Sequence, residues 1–113
     1  MRILVTGGAG FVGANLCRGL LAAGQDVVVI DDFSTGFQSN LADLDIDLRT
    51  GSILDVHKLR SAARHVDSIV HLAARPSVPR SIENPMLTHD VNVNGTMNVL
   101  LAAREVEAHL VFA

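Results

Sequence analysis

The sequence predicts a parallel, doubly wound α/β sheet with strand order 3-2-1-4-5. Five short apolar runs recur along the 113 residues, separated by segments of helical spacing. Three of those runs are rich in Val and Ile with little alternation, the pattern of strands buried on both faces. Strands alternating with helices, joined by right-handed crossovers, then leave few topologies open.

The five runs are 2–6 (RILVT), 26–31 (DVVVID), 46–50 (IDLRT), 67–73 (DSIVHLA) and 109–113 (HLVFA). Between the first two, Phe11, Val12, Leu16, Leu20 and Leu21 follow a helical period, and Gly24 stops that helix. Val56, Leu59, Ala62 and Ala63 mark a shorter helix with Asp55 as N-cap. The longest predicted helix starts with Asn84 as cap and Pro85 in its first turn, and runs to Val106. On it, Val91, Val99, Ala102 and Val106 share one arc, while Met86, Val93, Met97, Leu100 and Leu101 share another. The first arc can pack on the sheet. The second needs a helix or a second subunit, so a homodimer through helix 85–106 is expected.

Composition narrows the class. Half the residues are apolar (49%), 19% are charged and the net charge is −3, which describes a globular chain without a basic surface. No nucleic-acid or anionic-membrane partner is expected. A single cysteine, Cys17, allows no internal disulfide and reads as a small core residue in a cytoplasmic, reducing compartment. The uncharged run 3–17 is too short to span a bilayer. The five histidines have no metal-ligand spacing, so no metal site is expected, and His71, on a strand, reads as a satisfied core histidine.

The chemistry begins at "LVTGGAGFVGANL", where Gly7, Gly10 and Gly13 stand three apart between a strand and a helix. That spacing suits a Rossmann-type dinucleotide fold. Gly7 permits the tight turn, Gly10 lets backbone approach a pyrophosphate, and Gly13 lets the helix pack close to the sheet. The helix N-terminus offers free N–H groups to the phosphates. Asp31 ends the next strand, 18 positions past Gly13, placed to grip ribose hydroxyls. With Asp32 beside it and no Arg close behind, NAD is expected over NADP.

In order along the chain, TGGAGFVG, DDFSTG, HLAA and NVNGT resemble the extended short-chain dehydrogenase/reductases, and more narrowly the nucleotide-sugar epimerases and dehydratases. "SVPRSIENP" (77–85) is similar to UDP-sugar 4-epimerases. The resemblance implies that Gly7, Gly10, Phe11 and Val12 line the pyrophosphate and that Asp31 holds the adenosine ribose. The loop Asp32, Phe33, Ser34, Thr35, Gly36 would wrap it, and Ser52 and Ile53 would flank adenine. Leu72, Ala73 and Ala74 would pass beneath the nicotinamide-side ribose, with Asn92 near the cofactor. Ser77, Val78 and Arg80 would lie near a UDP-sugar substrate. Many relatives carry Asp where Ser52 stands, which puts an adenine contact in doubt, and Pro76 replaces a Lys found near the phosphates in some epimerases.

Each motif also has a plainer reading. Arg80 reads equally as a solvated loop charge, and Gly95 could serve only close packing against the sheet. The family's Tyr–x–x–x–Lys base is missing, since the sequence has no Tyr. The expectation is therefore an NAD-binding N-terminal part (1–113) of a longer nucleotide-sugar 4-epimerase, with a dehydratase or decarboxylase as the alternative and inactive alone. A non-catalytic dinucleotide-binding module is the alternative from another class.

Overall fold

The computed structural model describes residues 1–74 and 82–112. Five parallel strands form one sheet in the order β3-β2-β1-β4-β5. They are β1 (Arg2–Thr6), β2 (Asp26–Asp31), β3 (Asp47–Thr50), β4 (Ser68–His71) and β5 (His109–Phe112). The predicted topology is the observed one; β1 and β2 match their apolar runs, while β3 and β4 are shorter than theirs. Before β4, the Asp67 carboxylate accepts the Arg2 N–H at 2.8 Å. After it, the N–H groups of Leu72 and Ala73 turn toward the Thr6 hydroxyl, each at 3.1 Å.

The pleat divides the core in two. Ile3, Val5, Val27 and Val29 pack with Ala14 and Cys17 on one face. Leu4, Val28, Ile30 and Ile69 pack with Leu59, Val99 and Ala102 on the other. Successive strand residues point to opposite faces, so an unbroken apolar run fills both layers. In the register of the sheet, Leu4 lies beside Val28 and Ile69, with all three fully buried.

Helix α1 (Phe11–Ala22) covers the first face. It ends as Gly24 enters the left-handed region (φ 80°), with Gly24 N–H donating to the Leu21 carbonyl and Gln25 N–H to that of Leu20. That is a Schellman stop. The helix does not bury the apolar residues at its start. Phe11 is 83% exposed and Val12 63%, while the buried positions are Gly13, Ala14 and Cys17. The N-terminal end lies too close to the turn beneath it to admit larger side chains. Burial pushes the Cys17 thiol up to about 11, in keeping with an inert core residue.

The second face carries α2 (Val56–Ala62), capped by the Asp55 carboxylate at Lys58 N–H, and the long C-terminal helical stretch. That stretch is not one regular helix. It comprises α3 (Pro85–His89), a π-helical segment (Asp90–Gly95) and α4 (Thr96–Val106). Asn84 caps α3 as expected, accepting from Leu87 N–H at 3.1 Å. The change of winding falls on Asn92, Asn94 and Gly95, the poorest helix formers of the run. A Cβ on Gly95 would lie 2.5 Å from the tip of the Ile53 side chain, which would have to move; the close neighbour of Gly95 is the loop after β3, not the sheet. Val99 and Ala102 are buried and Val91 and Val106 pack against the same cluster, so the first predicted arc faces the sheet. Met86, Val93, Met97, Leu100 and Leu101 are all exposed.

Gly13 and Gly19 separate crowding from helix propensity within α1. A Cβ at Gly13 would meet the Gly7 carbonyl oxygen at 2.5 Å and Gly8 Cα at 2.7 Å, whereas at Gly19 nothing lies within 4 Å. Gly13→Ala should therefore lower the unfolding free energy by about 1–3 kcal/mol through overpacking. Gly19→Ala should raise it by about 0.5–1 kcal/mol. Urea denaturation of both variants checks the opposite signs.

Candidate functional site

The carboxyl ends of β1, β2 and β4 open into a cleft of about 300 Å³. Its lining joins five stretches of sequence: the glycine turn with the start of α1, the end of β2 with the loop after it, Gly51–Ile53, Leu72–Ala74, and Val91 of the π-helical segment. The glycine turn forms the centre. Gly7 has φ 75°, and a Cβ on it would sit 2.8 Å from Ala73 N, so turn and β4 exit pack backbone against backbone. Gly13 is demanded by the turn itself rather than by the sheet, as its close contacts are Gly7 and Gly8.

Gly10 differs from both. Its Cβ would find only the Gly7 carbonyl at 3.6 Å, an ordinary contact, so no packing inside the chain requires a glycine there. It caps α1 in extended conformation without a side-chain hydrogen bond. The first N–H groups of α1 therefore meet the cleft with no side-chain cap in front of them. Exposed Phe11 and Val12 flank this mouth.

Asp31 stands at the opposite wall and ties three segments together. One carboxylate oxygen accepts Ala9 N–H of the glycine turn at 2.9 Å, and the other accepts Phe33 N–H at 2.7 Å. Asp32 accepts Ser34 N–H at 3.0 Å. Among the cleft-lining residues two are carboxylates and none is a cation.

The cleft brings together Gly7, Gly10, Phe11, Val12, Asp31, Asp32, Ser34, Thr35, Ser52, Ile53, Leu72, Ala73 and Ala74. Three expected residues are not in its lining. Phe33, at φ 59°, turns into the α1-side core, and Gly36 is buried against Ala9 and Gly10, where a Cβ would come within 2.7 Å. Asn92 lies one residue beyond Val91 and presents its carbonyl to the Thr96 hydroxyl at 2.8 Å. Ser77, Val78 and Arg80 fall outside the described residues. Ile30, Gly51, Gly13 and Val91 also line the cleft. Ile30 adjoins Asp31, Gly51 adjoins Ser52 and Val91 adjoins Asn92, so proximity in sequence was a usable signal for all three.

His71 is buried (6% exposed) and satisfied at both ring nitrogens, by the Thr6 hydroxyl at 2.6 Å and the Thr96 hydroxyl at 2.9 Å. Burial lowers its pKa below the usual histidine value. Among the described residues no group of His, Cys, Asp or Glu is arranged to hold a metal ion, and no helix is long and apolar enough to cross a membrane.

A glycine turn passing from a parallel strand into an uncapped helix, with a carboxylate closing the adjacent strand, defines a dinucleotide-binding α/β domain of the Rossmann type. The chain belongs to the NAD dependent epimerase/dehydratase family, whose model matches residues 3–113. It is 38% identical over 112 residues to UDP-glucuronic acid decarboxylase 1 of Danio rerio, covering 99% of this chain and 27% of that protein. It is also 38% identical over 107 residues to UDP-glucose 4-epimerase of Lacticaseibacillus casei, covering 93% and 32%. Among solved structures, the UDP-glucose 4-epimerase of Thermotoga maritima with UDP-glucose superposes with a TM-score of 0.93 at 30% identity, covering 99% of this chain and 37% of that one. The Thermus thermophilus enzyme, a UDP-glucose 4-epimerase in complex with NAD, gives 0.89 at 36% identity, covering 97% and 36%. The chain thus spans about a third or less of these relatives' length. NAD is the cofactor of the family.

Asp31→Ala removes the shared acceptor of the Ala9 and Phe33 N–H groups. It should cost about 1–3 kcal/mol of stability, the penalty for part-buried donors left unpaired. Amide hydrogen exchange should accelerate at Ala9 and Phe33 before it does in β1.

Proposed function

We propose that this chain is the NAD-holding part of a nucleotide-sugar 4-epimerase that works by transient oxidation at the sugar C4. The observation that carries the cofactor half is Gly10, a glycine the fold does not need, facing the cleft where a pyrophosphate would pass. The chemistry NAD supplies when bound is reversible hydride acceptance, which C4 oxidation and return to the other face require. The chain's own residues bind and orient. The uncapped amides of α1 face the phosphates beside Gly7, Gly10, Phe11 and Val12. Asp31 keeps acceptor capacity for ribose hydroxyls, since a carboxylate offers about four lone-pair sites and two serve the backbone. The loop Asp32–Gly36 closes over that ribose, with Phe33 and Gly36 acting from beneath as its anchors. Ser52 and Ile53 flank adenine, Leu72–Ala74 lie beneath the nicotinamide-side ribose with Asn92 nearby, and Ser77, Val78 and Arg80 meet a UDP-sugar.

The stretch "SVPRSIENP" supports the epimerase assignment. Decarboxylation of a UDP-uronic acid is the second reading, favoured by the 38% identity to a UDP-glucuronic acid decarboxylase. Both begin with the same oxidation. Full-length protein incubated with UDP-glucose, UDP-N-acetylglucosamine and UDP-glucuronate separates them: an epimer of one of the first two supports epimerisation, and carbon dioxide release from the third supports decarboxylation. The single cysteine supports a reducing, cytoplasmic compartment in this reading.

Cofactor choice follows from charge. Asp31 and Asp32 would repel the ribose phosphate of NADP, so calorimetry should find NAD at least about tenfold tighter. Gly10→Ala should leave the thermal midpoint unchanged and weaken NAD by about tenfold or more. An equal preference for NADP, or an unaltered Gly10→Ala, counts against the site.

We propose further that the exposed arc of Met86, Val93, Met97, Leu100 and Leu101 joins two copies as a homodimer. An uncovered apolar stripe of this length is costly in water. Met97→Glu with Leu101→Glu should convert the protein to a monomer in light scattering while leaving NAD affinity intact.

A further inference from the structure

We infer that His71 is a positioning residue: neutral and protonated at Nε2, it relays a one-way chain of hydrogen bonds that holds the β4 exit and the π-helical wall of the cleft in register. The inference rests on counting protons. The Thr6 hydroxyl oxygen receives the Ala73 N–H at 3.1 Å and the Leu72 N–H at 3.1 Å, the latter shared with the Thr6 carbonyl at 3.0 Å. A hydroxyl oxygen has two lone pairs and one proton to give. With both lone pairs engaged, the Thr6 proton goes to His71 Nδ1, 2.6 Å away. Nδ1 is then the acceptor, and the ring proton sits on Nε2.

From Nε2 the chain continues in one direction. The Nε2–H donates to the Thr96 hydroxyl at 2.9 Å, and Thr96 donates to the Asn92 carbonyl at 2.8 Å. The opposite tautomer would aim a third N–H at the Thr6 oxygen, leave the Thr6 proton without an acceptor in a fully buried position, and take Thr96 away from Asn92. Every link favours the same direction, so the chain is cooperative.

Its two ends fall on the two walls of the cleft. Thr6 precedes Gly7 and holds the Leu72 and Ala73 amides, and Leu72 and Ala73 line the cleft. Asn92 adjoins Val91, which lines it from the π-helical side. His71 spans them, hydrogen-bonded to Thr6 on one side and Thr96 on the other. A second ring proton breaks the chain at Thr6. Among the described residues, the groups facing the ring are Thr6 from β1, Thr96 from α4 and Phe112 from β5, whose ring meets it edge-on at 6.2 Å. None is ionisable, and burial alone lowers the ring's pKa. The neutral form is thus the native one. Its contribution to stability is full above the ordinary histidine value of about 6.5 and is lost as pH falls from there through the folded value.

The consequence for affinity rests on the NAD reading; the tautomer does not. In full-length protein labelled with 15N-histidine, His71 is assigned by the signal lost in His71→Gln. Its ring should show Nδ1 bare and Nε2 protonated at neutral pH, with a titration midpoint below the ordinary histidine value. Thr96→Val, which leaves Nε2–H facing a methyl group, should weaken NAD by about tenfold, and Thr96→Ser should restore it to within about twofold. A ring protonated at Nδ1, or charged at neutral pH, overturns the relay. NAD bound equally well by Thr96→Val overturns its positioning role. If Thr96→Val does not fold, the wild-type ring shifts decide. Wild-type protein with the expected tautomer but no affinity for NAD upholds the relay and refutes the cofactor reading.

Discussion

The cleft depends on one close contact, the backbone of Gly7 lying against the backbone of Leu72 and Ala73 with no room for a Cβ between them. That contact draws the carboxyl ends of β1 and β4 together, which lets a single Thr6 hydroxyl reach the amides of Leu72 and Ala73. The same economy repeats outward. Gly13 lies on Gly7 and Gly8, and Gly36 on Ala9 and Gly10. A turn built this way presents main-chain groups rather than side chains to whatever enters. Main-chain N–H groups at a helix start suit an anion and discriminate little among the molecules that carry it, so selectivity has to come from the carboxylates at the rim.

Much of this was legible in the sequence because burial on both faces leaves a plain signature. The runs 2–6 and 26–31 became β1 and β2 without change of boundary. The strand order followed from topology rules, and Asp55, Asn84 and Gly24 act at the helix ends where they were expected. The glycine turn and Asp31 were visible as spacing. What spacing could not separate was the job of each glycine. Gly7 answers to Leu72 and Ala73, far away in sequence, and Gly13 to Gly7 and Gly8 of its own motif; only a Cβ placed on the backbone distinguishes them from Gly10.

What stayed illegible shares a cause. Phe11 and Val12 obey helical spacing yet stay exposed, because period reports which residues share a face and says nothing of what that face meets. The long C-terminal helix looked continuous because Asn92, Asn94 and Gly95 each cost only about 1 kcal/mol or less in a regular helix. Their concentration falls on the π-helical turn, and Ile53, far away in sequence, fills the space a side chain at Gly95 would need. The Thr6–His71–Thr96 chain was invisible for the same reason: a strand histidine reads as core, and its partners lie 65 and 25 residues away.

One ionisable side chain on each side organises the site from within the chain. Asp31 fastens the glycine turn to the loop after β2 through two backbone N–H groups. His71 fastens the β4 exit to the π-helical segment through two hydroxyls. The two residues use opposite electrostatics for the same task. A carboxylate gathers N–H donors because it only accepts, and it keeps lone pairs in reserve for a second set of donors. A neutral imidazole both accepts and donates, so it can link two elements but has nothing left to offer a ligand. In the proposed reading this sorts their roles: Asp31 touches the dinucleotide, and His71 acts on it only through the residues it holds. Every hydrogen bond that fixes these walls from inside the chain is ordering that a ligand does not have to supply, so more of its contact energy appears as affinity.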